Sequence, residues 1–260
     1  MEYNDLFARA ELLMGKEAMR QLTAKKVILF GVGGVGSWCA EGLIRSGVMH
    51  LTLVDSDRVA AANSNRQLPA TTKTIGELKV EVLKQRLEEI NPFATITAVS
   101  EIYSAESSGS FRLEQYDYII DAIDSLAHKQ HLLVTASKTG ATVFSSMGAA
   151  LKIDPLKIRV AEFWKVRGCK LAHALRERIR KYGEKPSKPI LCVYSEELLS
   201  NREEPLPQAN ENGSFRKARI NGTMVQVTAT FGFILSGLVV QDIAEQHSKQ
   251  TQASQQAYAL

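Results

Sequence analysis

Four glycines, Gly31, Gly33, Gly34 and Gly36, stand between an apolar run and a helical segment, in Lys26-Val-Ile-Leu-Phe-Gly-Val-Gly-Gly-Val-Gly-Ser37. A chain that turns sharply and brings its backbone against a phosphate needs residues without a Cβ. The N–H groups at the helix start then face the anion, and the helix dipole favours its charge. Asp55 ends the next apolar run, the place from which a carboxylate bonds a ribose hydroxyl. An aspartate there also suits a plain turn cap. Together, the glycine loop and Asp55 fit a dinucleotide dehydrogenase and, equally, any enzyme that binds adenosine on the same scaffold.

The polar residues that follow discriminate between the two. Asp57, Asn63-Ser-Asn65-Arg66-Gln67 and Gly76-Glu-Leu-Lys79 come next, and Asp124 lies further on. Hydride transfer needs few such groups, because its chemistry belongs to the nicotinamide ring. Attack at the α-phosphorus of a triphosphate needs cations on the phosphates and a carboxylate for the bridging Mg²⁺. Arg66 and Lys79 supply the cations and Asp124 the carboxylate. Taken singly, Arg66 and Lys79 read as solvated charges; their joint appearance behind a glycine loop points to a triphosphate.

The positioning elements follow from hydrophobic pattern. Residues 1–25 read as a helical lead-in, with Leu6, Leu12, Leu13, Met19 and Leu22 at helical spacing. Val27–Phe30 is a buried strand, the glycines lead into a helix closed by Gly47, and His50–Val54 is the second strand, completing a βαβ unit. Residues 56–76 read as a surface loop, and a helix runs from about Glu77 to Ile90 before Asn91-Pro92. Strands at Thr95–Val99, Tyr118–Ile120 and Thr142–Ser146, with a helix near Leu126–Gly140, continue the alternation. The pattern predicts an α/β fold: a Rossmann-like, doubly wound, mainly parallel sheet with a smaller C-terminal part extending it. Residues 1–150 form the nucleotide-binding core and 151–245 the C-terminal part. That part holds strands at Lys157–Phe163 and Ile190–Tyr194, a helix at Leu171–Lys181, a long loop at 200–222 and a helix at Thr223–Ile243. The Gln- and Ser-rich tail 246–260 is expected to be disordered.

Composition narrows the class. Of 260 residues, 45% are hydrophobic and 23% charged, which excludes a disordered chain. The net charge of +4 and pI near 8.9 favour an anionic partner mildly. Cys39, Cys169 and Cys192 lie far apart with no Cys-x-x-Cys pair, which suits a reducing, cytoplasmic setting and offers no four-thiolate zinc site. The charged N-terminus has no signal-peptide core. Met224–Val240 is apolar enough to suggest a membrane span, but Gln226, Thr228, Thr230 and Ser236 favour a helix buried in protein, so no stable membrane insertion is expected. Between Lys165 and Lys188 nine cations face only Glu177 and Glu184, a run that fits either an RNA backbone or a solvated helix face.

Gly31-x-Gly33-Gly34-Val35-Gly36-Ser37, Asp55-x-Asp57, Asn63-x-Asn65-Arg66-Gln67, Gly76-x-x-Lys79 and Asp121-Ala-Ile-Asp124-Ser125, in this order, resemble the ubiquitin-activating-like adenylating enzymes over about residues 5–150. Leu12-Leu13-Met14-Gly15-Lys16-Glu17, Leu175-Arg176-Glu177-Arg178, Cys192-Val193-Tyr194-Ser195-Glu196 and Val227–Phe233 are most similar to the tRNA threonylcarbamoyladenosine dehydratase branch. The resemblance implies that Gly31, Gly33, Gly34 and Gly36 wrap the ATP phosphates and that Asp55 holds the ribose. Asp57, Asn63, Arg66, Gln67 and Lys79 complete the ATP site, and Asp124 binds Mg²⁺. Arg9 falls where related enzymes carry an arginine reaching into the partner subunit's nucleotide site, implying a homodimer, although its helical setting also suits a surface arginine. Arg176, Arg178, Arg180 and Lys181 become candidate tRNA contacts, and sulfur-relay proteins candidate partners. The implied reaction is adenylation of a threonyl carboxylate, ring closure by the neighbouring carbamoyl group and release of AMP. The alternative is activation of a small ubiquitin-like sulfur carrier. Such activators hold zinc through two Cys-x-x-Cys pairs, absent here, and some use a cysteine as acyl acceptor. Cys192 is the candidate thiol for that route, with a buried structural role the competing reading.

Overall fold

The computed structural model describes residues 3–204, 208–209, 215–216 and 221–258. The chain enters through α1 (Tyr3–Met14) and α2 (Lys16–Ala24), separated by Gly15 at φ +82°. Met19 and Leu22 are buried, but Leu12 and Leu13 are almost fully exposed, so the apolar spacing of the lead-in is only half spent on the core.

Strand β1 (Lys26–Phe30) leads to α3 (Gly36–Ser46), which Gly47 ends at φ +106°. Then come β2 (His50–Val54), α4 (Lys79–Ile90), β3 (Thr95–Val99) and β4 (Tyr118–Asp121). Helix α5 (Leu126–Ser137), β5 (Thr142–Ser146), β6 (Ile158–Glu162), α6 (Lys170–Tyr182) and β7 (Leu191–Ser195) follow. The two-residue strands β8 (Gln208–Ala209) and β9 (Phe215–Arg216) pair inside the long loop expected at 200–222. Most of the rest of that loop lies outside the described residues. Helix α4 starts two residues later than its pattern suggests, because Val59 N–H bonds Glu77 O and Gly76 N–H bonds Val59 O.

Among the described residues, seven strands form one sheet in the order β3-β2-β1-β4-β5-β7-β6. Every neighbouring pair is parallel except β6–β7, so the C-terminal part extends the sheet with one reversed edge strand. Side-chain alternation sorts the core. Val27 and Leu29 of β1 face α2, α3, α4 and α7 (Val225–Tyr258), while Ile28 and Phe30 face α5 and α6.

Helix α7 crosses the sheet against α3. Val227, Phe231, Leu235, Val239 and Ile243 recur every fourth residue and are fully buried, each contributing about 1.5–3 kcal/mol. A Cβ on Gly232 would meet Val35 O at 2.5 Å and Cys39 N at 2.7 Å, so only glycine lets the helices approach this closely. The stretch Val225–Lys249 is long and apolar enough to cross a membrane by length and composition, yet its apolar stripe belongs to the protein core. The tail expected to be disordered from 246 is instead helical to Tyr258. Residues 245–258 contain no Gly or Pro to stop a helix already anchored by its buried half.

Candidate active site

The sheet reverses its winding between β1 and β4, and a crevice opens there at the carboxyl ends of the strands, where open α/β sheets bind ligands. It holds a cavity of about 780 Å³, lined among others by Gly31, Gly33, Gly34, Asp55, Asp57, Asn63, Arg66, Gln67, Lys79 and Asp124. Residues spread over ninety positions of sequence thus meet around one space.

The glycine loop is shaped by close approach. Gly31 has φ +86°, and a Cβ on it would lie 2.7 Å from Ala122 O. Gly36 packs so tightly on Gly31 O that no side chain fits; it does not line the cavity but fixes the turn into α3. Ser37 Oγ donates to Gly33 O at 2.7 Å. Gly34 faces the Arg66 side chain and Thr228, which a Cβ would meet at 3.3–3.4 Å.

Asp55 ties the loop to β2. Its Oδ2 accepts from Val32 N–H and its Oδ1 from Asp57 N–H, both at 2.8 Å. Burial pushes its carboxyl up, against the opposing pull of these two N–H groups and Lys79. Each oxygen keeps further acceptor capacity for a ribose hydroxyl. Lys79, 4% exposed at the start of α4, places Nζ 2.7 Å from Asp57 Oδ2. Asn63 spends its Oδ1 on Ala60 N–H, which leaves Nδ2 as its donor toward a ligand. Arg66 Nη1 bonds Ala62 O and Asn65 Oδ1, each at 2.9 Å, and Arg66 O accepts from Trp38 Nε1. Gln67 is buried, and its Oε1 has no donor among the described residues. Asp124 is exposed to the cavity and makes no ion pair among the described residues.

These groups fit a triphosphate and a hard cation. Backbone without Cβ faces two cationic side chains, and one free carboxylate is the donor set Mg²⁺ takes when phosphates supply its other ligands.

Several expected site residues lie elsewhere. Arg9 is exposed on α1 and does not line the cavity. Cys192 is wholly buried in β7 with Sγ 3.7 Å from Ile190 O; burial pushes its thiol up, so a nucleophilic role has no geometric basis in this chain. The candidate RNA contacts divide. Arg176 Nη1 is spent inside on Phe163 O and Val166 O of the turn before α6, and Arg178 Nε on Gln130 Oε1 of the neighbouring helix α5. Arg180 and Lys181 are exposed.

The cavity also includes residues that sequence patterns did not single out. Among them are Glu101, Ile102, Tyr103, His128, Gly148 and Ala149. Tyr103 OH lies 3.0 Å from His131 Nδ1, and burial pushes its phenol up to about 12. Asp121 and Lys129, both fully buried, pair at 2.7 Å beneath the Asp124 loop. Lys129 sits among His128, Gln130 and His131, so the sequence carries no signal of its burial.

Comparison with known proteins agrees with this geometry. The model of the ThiF family matches residues 7–258. The chain is 37% identical over 240 residues to tRNA threonylcarbamoyladenosine dehydratase of Bacillus subtilis (strain 168), covering 91% of this chain and 94% of the relative. It is 34% identical over 244 residues to the Escherichia coli (strain K12) protein of the same name, covering 88% and 89%. The crystal structure of Escherichia coli tRNA N6-threonylcarbamoyladenosine dehydratase in complex with ATP superposes with a TM-score of 0.83 at 29% identity, covering 95% of this chain and 97% of that one. Matched by that family model over nearly its whole length, the chain belongs to the ThiF family.

Proposed function

We propose that this chain is an ATP-dependent tRNA threonylcarbamoyladenosine dehydratase that works through an acyl-adenylate. The observation that carries the reading is the single cavity in which the glycine loop, Arg66, Lys79 and Asp124 converge. Relatives spanning about nine tenths of the chain bear the dehydratase name, which favours this reading over activation of a carrier protein.

The start of α3 and the bare backbone of Gly33 and Gly34 cradle the phosphates. Asp55 orients the ribose, while Arg66, Lys79, Asn63 and Gln67 hold the triphosphate with its α-phosphorus open to the cavity. The threonyl carboxylate of the modified adenosine attacks that phosphorus and pyrophosphate leaves. The neighbouring carbamoyl group then closes the ring onto the activated carbonyl and AMP departs, so the net loss from the nucleoside is one water. Asp124 would hold Mg²⁺, which would supply neutralisation of the charge that develops on the phosphoryl oxygens. The protein's own part is positioning and charge neutralisation, and no protein nucleophile is required.

Two partners belong to this reading. The exposed cations Arg180 and Lys181 contact the tRNA backbone. A second copy of the chain covers α1, where Leu12 and Leu13 stand 87% and 88% exposed beside Arg9, and Arg9 then serves the neighbouring nucleotide site.

The decisive experiment incubates the protein with ATP, Mg²⁺ and tRNA bearing threonylcarbamoyladenosine, then weighs the released nucleosides. Loss of one water from that nucleoside, with AMP formed in equal amount, is the expected result. An unchanged nucleoside mass in the presence of ATP overturns the proposal.

A further inference from the structure

Beneath the Asp124 loop lies an ion pair that none of the nucleotide contacts uses. Lys129 of α5 and Asp121 at the end of β4 are both fully buried, with Nζ 2.7 Å from Oδ2. Ser145 Oγ of β5 donates to the same Oδ2 at 2.6 Å. Both remaining bonds go to one residue. Ile123 N–H donates to Asp121 Oδ1 at 3.1 Å, and Lys129 Nζ donates to Ile123 O at 2.9 Å. The peptide groups on either side of Ile123 are thereby gripped from below by the pair. From above, the chain is held at Ala122, whose N–H donates to Phe30 O and whose carbonyl presses on Gly31.

A buried pair of this kind is an expensive way to fill space. Apolar residues of similar volume usually serve stability as well or better. What apolar side chains cannot do is hold a peptide N–H and the following carbonyl in fixed directions. The residue after that clamped unit is Asp124. The pair also separates the two carboxylates of Asp121-Ala-Ile-Asp124 by role. Asp121 is neutralised by Lys129 and sealed from the cavity, whereas Asp124 faces it without an ion pair among the described residues.

We propose that Lys129, acting with Asp121 through the backbone of Ile123, is a positioning residue that holds the Asp124 carboxylate in the orientation that binds the divalent cation of the nucleotide complex. The inference rests on the reading of Asp124 as the metal-binding carboxylate. Lys129 touches neither nucleotide nor metal. Its contribution is to remove the freedom of the loop, so that Asp124 does not have to be ordered each time the cation binds.

The test is a double-mutant cycle read by ATP binding rather than by turnover. ATP affinity is measured calorimetrically with and without Mg²⁺ for the full-length protein and for Asp124→Asn, Lys129→Met and the combined variant. An Asp121→Asn/Lys129→Met variant, which removes both charges, is carried alongside in case Lys129→Met alone fails to fold. The wild type binds ATP more tightly with Mg²⁺. Asp124→Asn abolishes that gain. Lys129→Met, or the charge-free double variant, is expected to cut the gain about tenfold while leaving magnesium-free ATP affinity within about twofold. In the Asp124→Asn background, Lys129→Met should produce no further change in the Mg²⁺ effect, and it is the preserved magnesium-free affinity that separates positioning from a general loss of packing. If Asp124→Asn removes the gain but both Lys129 variants keep it in full, the positioning role is overturned while the metal reading stands. A full Mg²⁺ gain in Asp124→Asn overturns both.

Discussion

Lys79 and Asp57 form an unequal pair: Nζ lies 2.7 Å from Oδ2, yet the lysine side chain is 6% exposed and the aspartate 67%. The ammonium is held at the cavity wall by a partner that water can replace. The pair therefore contributes little to folding and much to keeping a cation at the cavity wall. Backbone reinforces the arrangement, since Lys79 N–H bonds Asp57 O at 3.0 Å.

Replacing Lys79 with Met keeps the buried stem and removes the charge. We expect the dehydration rate to fall about a hundredfold to a thousandfold, the scale of losing one preorganised electrostatic contact to a transition state. Thermal unfolding should move little. Single-turnover AMP formation compared with calorimetric melting separates the two effects.

The cations of α6 should behave as two groups. Arg180→Gln with Lys181→Gln weakens tRNA binding and lowers the slope of log affinity against log salt by roughly one to two, while ATP binding is unchanged. Arg176→Ala instead lowers stability, because Phe163 O and Val166 O lose their donor. Filter binding across a salt series, with a melting curve for each variant, tests the division.

Cys192 is sealed inside β7. Cys192→Ala should retain dehydration, and a thiol reagent should leave the native Cys192 unlabelled until the protein is denatured. A thioester intermediate trapped on this residue would contradict both expectations.

Glu197 gives a pH signature. Its carboxylate accepts from Ile153 N–H at 2.7 Å and Asp154 N–H at 3.0 Å, and these bonds, with Lys157, hold its pKa below the ordinary value of 4.5. An acid whose folded pKa is depressed stabilises the protein above its unfolded pKa and loses that contribution as pH falls through the folded value. The stability advantage of the wild type over Glu197→Gln should therefore be full at neutral pH and shrink progressively below about pH 4.5. Urea unfolding at a series of pH values reads it directly.

Sequence alone determined what is local. The glycine turn was legible because four glycines follow a short apolar run, and the structure leaves Gly31 and Gly36 no room for a Cβ. The strands were legible as short apolar runs bounded by turn residues. Asp55, Arg66, Lys79 and Asp124 were legible as a candidate set from their charges behind such a loop, and the fold brings all four to one cavity. Only the tertiary structure decided how each charge is spent. Arg176 and Arg180 lie on one helix and look alike in sequence, yet one bonds buried carbonyls and the other faces solvent. Asp121 and Asp124 are three residues apart, yet packing of α5 under β4 gives one a lysine and leaves the other to the cavity. Leu12 and Leu13 carry a core-like spacing and still end exposed. Periodicity records that a face is apolar, but what covers that face, or which carbonyl claims a cation, depends on elements that meet only when the chain folds.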